Sequence, residues 1–440
     1  MSLPAGAERE RGPVLPAPPE GLYVHVPFCV SICPYCDFVV VAGSETRGPA
    51  NRVASFVDAL LAEVELRADD LDRRFGAPGP GSGRRPPLRS VYLGGGTPSL
   101  LSPDELTAIL ERIRVRFGLI PDAEVTLEAN PGPDERGDPV GQRAAGVTRL
   151  SIGAQSFVPS ELSRLGRRHT PGHVGETVAA AREAGIGSVG LDLLYDVPGQ
   201  TIASWTTSLE SALTLEPDHL SLYALGLDDP DAEGLTGPLG DHLPTSIGAR
   251  RWRDRARRGQ DEDRAAAMYH VAFHRLAEAG FHGYELSNWA QPGHESRHNR
   301  LYWDRRPVEA VGPGAHAFDG VVRRWNAARL EGYLRALRPA TDLATRPGID
   351  ETAGAATLRP SLPPGQEEPP LDASSAAVEA LILGLRTDDG VPLTAFLDAS
   401  LAEALAWADE ADLVEQTEEG RIRLTVRGRM LSNEVFGRLI

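Results

Sequence analysis

An α/β fold, organised as a partial (β/α)6 barrel, is predicted by two features of the 440-residue sequence. Short runs rich in β-branched and aromatic residues recur through residues 22–224, and amphipathic helical patterns separate them. Strands that alternate with helices indicate a parallel sheet, and six such units are too few for a closed eightfold barrel. In parallel α/β folds the functional side chains collect beyond the carboxyl ends of the strands.

The predicted strands are short, and the six of them are residues 22–26, 90–93, 125–129, 149–153, 190–194 and 220–224. Residues 51–70 and 103–117 are the clearest helices, because apolar side chains recur there at three- and four-residue intervals. Residues 76–87 are rich in Gly and Pro, which predicts a surface loop.

Composition divides the chain into five predicted regions. They are a disordered lead (1–20), a barrel core (21–250), an extension (251–340), a low-complexity linker (341–372) and a winged-helix-like module (373–440). The last region is predicted from helices at residues 374–385 and 401–410 and from a hairpin at residues 413–426.

The charge of the chain excludes several classes of protein. Acidic residues outnumber basic ones, 62 against 45, which gives a net charge of −17 and argues against nucleic acid or an anionic membrane as a partner. All 45 basic residues are Arg. The absence of Lys excludes a Walker A phosphate loop and a Schiff-base lysine, since both need the ammonium group.

Targeting signals are not evident in the sequence. Residues 1–20 lack the apolar core of a secretory signal, and no run approaches the ~18 apolar residues of a membrane helix. The three Cys lie within eight residues and are not spread out as a disulfide framework. The sequence therefore predicts a cytoplasmic protein with reduced thiols and no integral membrane segment.

Cys29, Cys33 and Cys36 follow the first predicted strand at the spacing C-x3-C-x2-C. Three thiolates on one tight loop suit a [4Fe–4S] cluster, which usually takes four Cys ligands. With three Cys, one iron stays free, and the amino and carboxylate groups of S-adenosylmethionine (SAM) can bind it. Three other interpretations stay open: a zinc site completed by His25, a redox dithiol, and plain packing.

Glycines and polar residues stand at the ends of successive predicted strands: Gly95, Gly96, Glu128, Gln155 and Asp192. Because the carboxyl ends of parallel strands meet at one edge, these residues are expected to converge on one site. The glycines would let backbone amides approach the charged methionyl end of a ligand without an intervening Cβ. Arg167 is a cation suited to a carboxylate.

Nine motifs, in their order along the chain, resemble one branch of the radical SAM family. They are LYVHVPFCxxxCPYCDF, GGGTPSLL, LEANP, SIGAQSF, LGRRHT, LDLLYDVPGQT, GYELSNWAQPG, RHNRLYW and GPGAHAF. This branch contains the oxygen-independent coproporphyrinogen III dehydrogenase and the HemW-type heme chaperones. The resemblance covers residues 21–335, with a weaker match at residues 375–440.

The resemblance implies that Cys29, Cys33 and Cys36 hold a [4Fe–4S] cluster. It also implies that nine residues contact SAM: Tyr23, Tyr35, Gly95, Gly96, Thr97, Glu128, Gln155, Arg167 and Asp192. In the dehydrogenase some of these positions serve a second SAM molecule.

Three differences from the dehydrogenase pattern favour the chaperones. The dehydrogenase has a further Cys where this chain has Phe38, and it has a longer ordered N-terminal arm, whereas residues 1–20 are predicted to be disordered. Residues 298–303 also carry the HNxxYW pattern. The expected function is a chaperone that binds heme and transfers it to acceptor proteins; the alternative is an oxidoreductase that decarboxylates coproporphyrinogen III. Two other positions depart from the branch, since Ser296 replaces a Cys and Asp196 replaces a Gly.

His298, within HNxxYW, is the candidate heme ligand, and a buried structural histidine is an equally weighted alternative. His316 is the second candidate ligand. The basic run at residues 250–258 is interpreted as a solvated helix face, with contact to heme propionates or to an acidic partner as the less favoured alternative.

Overall fold

The computed structural model describes residues 15–43, 51–338, 361–396 and 398–440. Most of the predicted disordered lead and most of the predicted linker lie outside these ranges.

The described strands are numbered in chain order. They are β1 (Gly21–Val26), β2 (Phe28–Cys29), β3 (Val41–Ala42), β4 (Leu88–Gly95), β5 (Leu119–Ala129), β6 (Arg149–Gln155), β7 (Ser188–Tyr195), β8 (His219–Ala224), β9 (His282–Gly283), β10 (Asn288–Ala290), β11 (Val308–Val311), β12 (His316–Phe318), β13 (Arg323–Asn326), β14 (Gly365–Glu367), β15 (Val391–Pro392), β16 (Val414–Gln416) and β17 (Arg421–Leu424).

The described α-helices are numbered in the same way. They are α1 (Val53–Phe75), α2 (Pro103–Phe117), α3 (Pro139–Ala145), α4 (Pro159–Arg164), α5 (Pro171–Glu183), α6 (Ile202–Leu213), α7 (Ile247–Arg257), α8 (Glu262–Glu278), α9 (Arg297–Trp303), α10 (Leu330–Ala336), α11 (Ala373–Leu385), α12 (Ala399–Glu410), α13 (Val426–Met430) and α14 (Ser432–Gly437). Two short 3-10 helices cover Pro98–Leu100 and Leu393–Phe396.

Six strands of the main sheet run parallel in the order β1-β4-β5-β6-β7-β8. This arrangement confirms the predicted partial (β/α)6 barrel, and each predicted strand segment falls within one of these strands. Helices follow most of the strands, as α2 follows β4 and α6 follows β7. The carboxyl ends of the six strands therefore share one edge.

The two faces of this sheet differ in polarity because successive side chains of a strand point to opposite faces. Val91, Leu127 and Ile152 belong to the apolar core that the outer helices cover. Tyr92, Thr126 and Arg149 pair in register on neighbouring strands and line a cavity on the inner face. The inner face of the barrel is thus unusually polar, which leaves room for a ligand.

Further strands extend the barrel sheet at both edges. Beside β1, β11 pairs in parallel and β12, β13 and β14 follow it antiparallel; beside β8, β10 and β9 pair antiparallel. The predicted extension at residues 251–340 is therefore part of the main sheet, and α7 crosses its predicted start. Two further expectations need correction. The strand β14 lies inside the predicted linker, and Ala17, in the predicted disordered lead, donates from its amide to Asp319 O over 2.8 Å.

The C-terminal module contains α11, α12 and a three-stranded sheet in the order β15-β17-β16. It has an apolar core of its own, which Leu286 of the barrel side joins. Helices followed by a β16–β17 hairpin agree with the predicted winged-helix-like arrangement. Among the described helices, none is both long enough and apolar enough to cross a membrane.

Candidate functional site

A cavity of about 440 Å³ opens at the carboxyl ends of the parallel strands. The structure brings ten of the predicted site residues to its wall: Cys29, Cys33, Tyr35, Cys36, Gly95, Gly96, Glu128, Gln155, Arg167 and Asp192. Tyr23 and Thr97 lie just behind the wall, since Tyr23 stacks on Tyr92 and Thr97 contacts Cys29.

Cys29 is the last residue of β2, and Cys33 and Cys36 lie on the loop that connects β2 to β3. Thr97 Oγ1 donates to Cys29 Sγ over 3.4 Å, and Arg167 Nη1 donates to Cys33 Sγ over 3.6 Å. The amide of Cys36 donates to Cys33 O over 3.1 Å, which keeps the loop tight. Three thiols that face one cavity, two of them beside hydrogen-bond donors, are a donor set that fits a [4Fe–4S] cluster.

Burial raises the pKa of the Cys29 thiol to about 11 and that of Cys36 well above its ordinary value. Metal ligands are thiolates, so loading of a metal at this loop must release protons.

The zinc hypothesis needs His25 as a fourth ligand, and the structure does not favour it. His25 Nδ1 lies 3.1 Å from Tyr23 Oη, and Nε2 lies 2.8 Å from Val39 O, so both ring nitrogens are engaged. Within the described ranges, no three His, Cys, Asp or Glu side chains converge as ligands of a single ion.

Two carboxylates, those of Glu128 and Asp192, line the cavity. Tyr92 Oη donates to Glu128 Oε1 over 2.8 Å, and the Gly95 amide donates to Oε2 over 2.9 Å. Burial raises the pKa of Glu128 to about 7, and the nearby Asp192 adds to the effect. Burial also raises the pKa of Asp192, to which Ser151 Oγ donates over 3.0 Å. These groups suit the hydroxyl and cationic groups of a nucleoside ligand.

Arg167 connects the cysteine loop to the strand ends. Its guanidinium donates to Gly153 O over 2.9 Å and to the side chain of Asn130. Its Nε is buried and has no hydrogen-bond partner among the described residues. An unpaired guanidinium nitrogen beside the cysteine loop is available to a carboxylate oxygen. Asn130, the fourth residue of the LEANP motif, was missed as a site residue.

Comparison with known proteins agrees with this geometry. The sequence-family model of the Radical SAM superfamily matches residues 23–212, and the family model of the HemN C-terminal domain matches residues 371–431. A heme chaperone HemW of Mycobacterium tuberculosis is 36% identical over 426 residues, which cover 97% of this chain and 96% of the relative. The chain belongs to the HemW family of radical SAM proteins.

Other relatives in the HemW family support this assignment. Heme chaperone HemW of Escherichia coli is 35% identical over 299 residues, which cover 68% of this chain and 70% of the relative. Among solved structures, coproporphyrinogen III oxidase (HemN) of Escherichia coli matches with a TM-score of 0.73 and 22% identity, covering 97% of this chain and 91% of that one. That likeness confirms the fold. Membership of the radical SAM superfamily implies a [4Fe–4S] cluster and SAM.

In this HemW family member, Gly95 and Gly96 occupy positions where a side chain would clash with the protein itself. Gly95 has φ +106°, and a Cβ there would lie 2.4 Å from the His25 ring; a Cβ on Gly96 would lie 2.7 Å from Phe28 O. The amides of Gly95 and Gly96 already donate to Glu128 and to Val26 O. Both amides are therefore engaged within the protein in this structure, and the contact of these glycines with SAM stays a prediction. The glycines let β4 approach β1 and the cysteine loop closely.

Arg253 on α7 is a residue of the site that the sequence analysis missed. It is 2% exposed and donates to the carbonyls of Cys36 (2.9 Å) and Pro34 (3.2 Å) and to Asp228 O. Its neighbour Trp252 packs on Tyr35 with ring centroids 6.3 Å apart. The basic run is thus not uniformly a solvated face, because it clamps the cysteine loop. The signal that could have indicated this role is the pair Trp252–Arg253, an aromatic residue beside an Arg within a charged helix.

The turn after β7 retains the backbone conformation that a Gly would give. Asp196 has φ +54°, a region that Asp adopts more readily than most residues. Its carboxylate accepts from Arg264, and it is 5% exposed. The substitution of Asp for Gly is therefore accommodated by an ion pair. Gln155, at the cavity wall, also has positive φ, +64°.

His298 does not lie at the cavity. It is 1% exposed, its Nδ1 lies 2.9 Å from Ser90 Oγ, and its Nε2 lies 3.1 Å from Tyr302 Oη. Ser90 is near the amino end of β4, opposite to the cysteine loop. With both nitrogens engaged, the geometry matches the structural alternative and not the expected heme ligand. From the HNxxYW segment it is Asn299 that lines the cavity.

His316 lies at the same sheet edge as the cysteine loop. Its Nε2 is 2.9 Å from Asp241 Oδ2, and its side chain is half-exposed. The ring stacks on Trp325 with centroids 5.6 Å apart. Of the two candidate heme ligands, His298 and His316, it is His316 that is accessible.

Proposed function

We propose that this protein is a heme chaperone, which binds heme and transfers it to acceptor proteins. The proposal rests on similarity to proteins named heme chaperone HemW that extends over 97% of the chain. We place this function in the cytoplasm, since the thiolates of a cluster must stay reduced. The alternative, decarboxylation of coproporphyrinogen III, is favoured by no comparable observation.

Cys29, Cys33 and Cys36 would hold the [4Fe–4S] cluster of the chaperone. When bound, the cluster supplies one iron without a protein ligand, to which the amino and carboxylate groups of SAM can bind. The unpaired Nε of Arg167 would bind the carboxylate end of SAM. Glu128 and Asp192 would face its cationic groups and ribose hydroxyls.

Heme would bind at the mouth of the cavity, where apolar side chains are exposed. Ile32 and Phe38 line the mouth with 54% and 62% of their surfaces exposed. The next residue, Val39, contacts the turn before His316, since a Cβ on Gly314 would lie 2.5 Å from Val39 Cγ2. The apolar surface and an accessible imidazole are therefore close together, as a porphyrin face and its iron require.

His316 is the proposed iron ligand. Asp241 accepts a hydrogen bond from Nε2 at 2.9 Å, which fixes the hydrogen there and leaves the lone pair on Nδ1. Burial lowers the pKa of His316 below its ordinary value, which favours the neutral imidazole that binds iron.

A heme titration followed by transfer tests this function. Protein loaded with its cluster should bind heme at micromolar concentration with a Soret band and should pass it to an apo-heme protein. His316→Ala should weaken binding at least about tenfold, consistent with loss of one iron ligand. His270→Ala, which removes an exposed imidazole on α8, should leave binding unchanged.

Absence of heme binding by the cluster-loaded wild type would refute the chaperone proposal. A loss of the Soret band in His298→Ala with the cluster intact would instead assign the ligand to His298.

A further inference from the structure

The floor of the barrel carries three buried polar atoms without hydrogen-bond partners among the described residues. They are Arg149 Nη2, His219 Nδ1 and Thr126 Oγ1. All three residues line the cavity, and none is more than 4% exposed. Buried polar atoms are almost always paired, so three orphans in one cavity indicate a missing partner.

Sheet register brings these atoms together. Thr126 on β5 pairs with Arg149 on β6, and His219 on β8 pairs with Gly190 on β7. The missing side chain of Gly190 leaves space over the imidazole, because a Cβ there would lie 3.3 Å from His219 Nδ1. Thr126 precedes Glu128 by two residues on the same face, so the floor lies below the carboxylates and away from the cysteine loop.

Hydrogen bonds of Tyr284 fix the hydrogen of His219. Tyr284 Oη accepts from the Ser296 amide at 3.4 Å, and it also hydrogen-bonds to His219. Its own hydrogen therefore points to His219 Nε2, 2.9 Å away. Burial and the charge of Arg149 lower the pKa of His219, which keeps the ring neutral. The remaining hydrogen of the imidazole is then on Nδ1, which donates into the cavity.

Arg149 is held in place by its other nitrogen. Nη1 donates to His294 O over 2.8 Å and to Ser188 Oγ over 3.1 Å, and it lies 3.8 Å from Glu124 Oε2. These contacts leave Nη2 directed at the cavity with no partner. An N–H of Arg, an N–H of His and a hydroxyl therefore converge from three strands, and the two N–H groups can only donate.

We propose that the floor of the barrel is a binding site for a carboxylate group. Carboxylate oxygens accept several hydrogen bonds, and the planar guanidinium of Arg149 matches their geometry. The carboxylate would come from a propionate of a bound tetrapyrrole or from a free small acid. Only the first source rests on the proposed function; the site itself does not.

Thr126→Val is the most informative variant, because Val has nearly the same shape and removes only the unpaired hydroxyl. Thr177→Val is its matched control. Thr177 is equally buried, but its Oγ1 already donates to His173 O (2.8 Å) and approaches Pro131 O (3.2 Å), outside the cavity. Both variants would be made in the full chain, with cluster and saturating SAM present.

The first arm measures thermal unfolding against sodium acetate, with sodium chloride at equal ionic strength as reference. Wild type and Thr177→Val should be stabilised by acetate. Thr126→Val should need about tenfold more acetate for the same shift, since it loses one hydrogen bond to a charged group. Without acetate, Thr126→Val should unfold no earlier than wild type, whereas Thr177→Val should unfold earlier.

The second arm compares heme with heme dimethyl ester, whose propionates are esterified. If a propionate reaches the floor, wild type should bind heme about tenfold more tightly than the ester, and Thr126→Val should lose that difference. An acetate response without this difference assigns the site to a free acid and supports the site equally.

Failure of the site and failure of the chaperone function are distinguishable. An acetate response in protein that binds no heme would retain the site and reject the function. If wild type responds to neither acetate nor esterification, or if Thr126→Val responds to both as wild type does, the carboxylate site is overturned.

Discussion

Glu128 is the residue on which the electrostatics of the cavity depend. Its side chain is half-buried and accepts hydrogen bonds from Tyr92 and from the Gly95 amide, and desolvation raises its pKa to about 7. A carboxyl with this pKa is protonated in slightly acidic solution and ionised in slightly basic solution. The charge of the cavity wall therefore changes near neutral pH.

This shift predicts how stability depends on pH without SAM. Between its ordinary value of 4.5 and about 7, folded Glu128 binds more protons than unfolded Glu128, so the free energy of unfolding falls as pH rises. The full difference is about 3 kcal/mol and is reached above pH 7. Urea unfolding from pH 5 to pH 8 should show a shallower fall in Glu128→Gln. Equal slopes in wild type and variant would contradict this account.

Residue-level predictions from the sequence succeeded where the signal was local. Cys29, Cys33 and Cys36 lie within a stretch of eight residues, and the structure places all three thiols at one cavity. His298 shows the limit, because the HNxxYW pattern cannot reveal that Ser90, far away in sequence, engages one ring nitrogen. The same limit applies to Gly95, whose contact with His25 depends on the pairing of β4 with β1.

Helix α7 is the element that fixes the geometry of the cysteine loop. Arg253 reaches the carbonyls of Pro34, Tyr35 and Cys36 from a position more than 200 residues later in the chain. A single buried cation thus satisfies three loop carbonyls, which helps keep the thiols in place. The neighbouring Arg255 on the same helix is exposed.

Loss of this clamp should impair the cluster. Arg253→Ala leaves several half-buried carbonyls without a donor, at a cost of about 3 kcal/mol. We expect the wild type to hold about four irons per chain and Arg253→Ala to hold clearly less iron. The SAM-induced change in the paramagnetic resonance spectrum of the reduced cluster should weaken in parallel.

Arg255→Ala is the matched control and should behave as wild type in both measurements. Wild-type iron content together with an unchanged SAM response in Arg253→Ala would show that α7 does not position the loop.

Elements were predictable where propensity and periodicity agree with the tertiary structure. The six barrel strands and the hairpin β16–β17 are such cases. The strand β14 is not, because Gly365–Glu367 is short, polar and set among prolines, and it forms by pairing with β13. Its position in the predicted linker shows that an edge strand can depend on its neighbour and not on its own sequence.

At the scale of the whole molecule, one sheet combines the cavity, the proposed heme surface and the edge strands. The parallel part carries the cysteine loop and the carboxylates, and the antiparallel extension carries His316 at the same edge. The fold itself is shared with coproporphyrinogen III oxidase, as the TM-score of 0.73 shows. Fold alone therefore cannot separate a chaperone from an oxidase, and the difference must lie in the site.

The site differs from the dehydrogenase pattern at Phe38, where that pattern has a further Cys. The Phe38 side chain is exposed at the mouth of the cavity. We expect this surface to bind an intact tetrapyrrole, and we expect the site not to decarboxylate its propionates.

The most direct test of this account uses one anaerobically reconstituted preparation with cluster, SAM and a reductant. It would be divided between a heme titration and an incubation with coproporphyrinogen III, with products identified by mass. We expect a saturable Soret band in the first portion and unchanged coproporphyrinogen III in the second. Decarboxylated vinyl products that accumulate over repeated turnovers would contradict the chaperone assignment and establish an oxidoreductase.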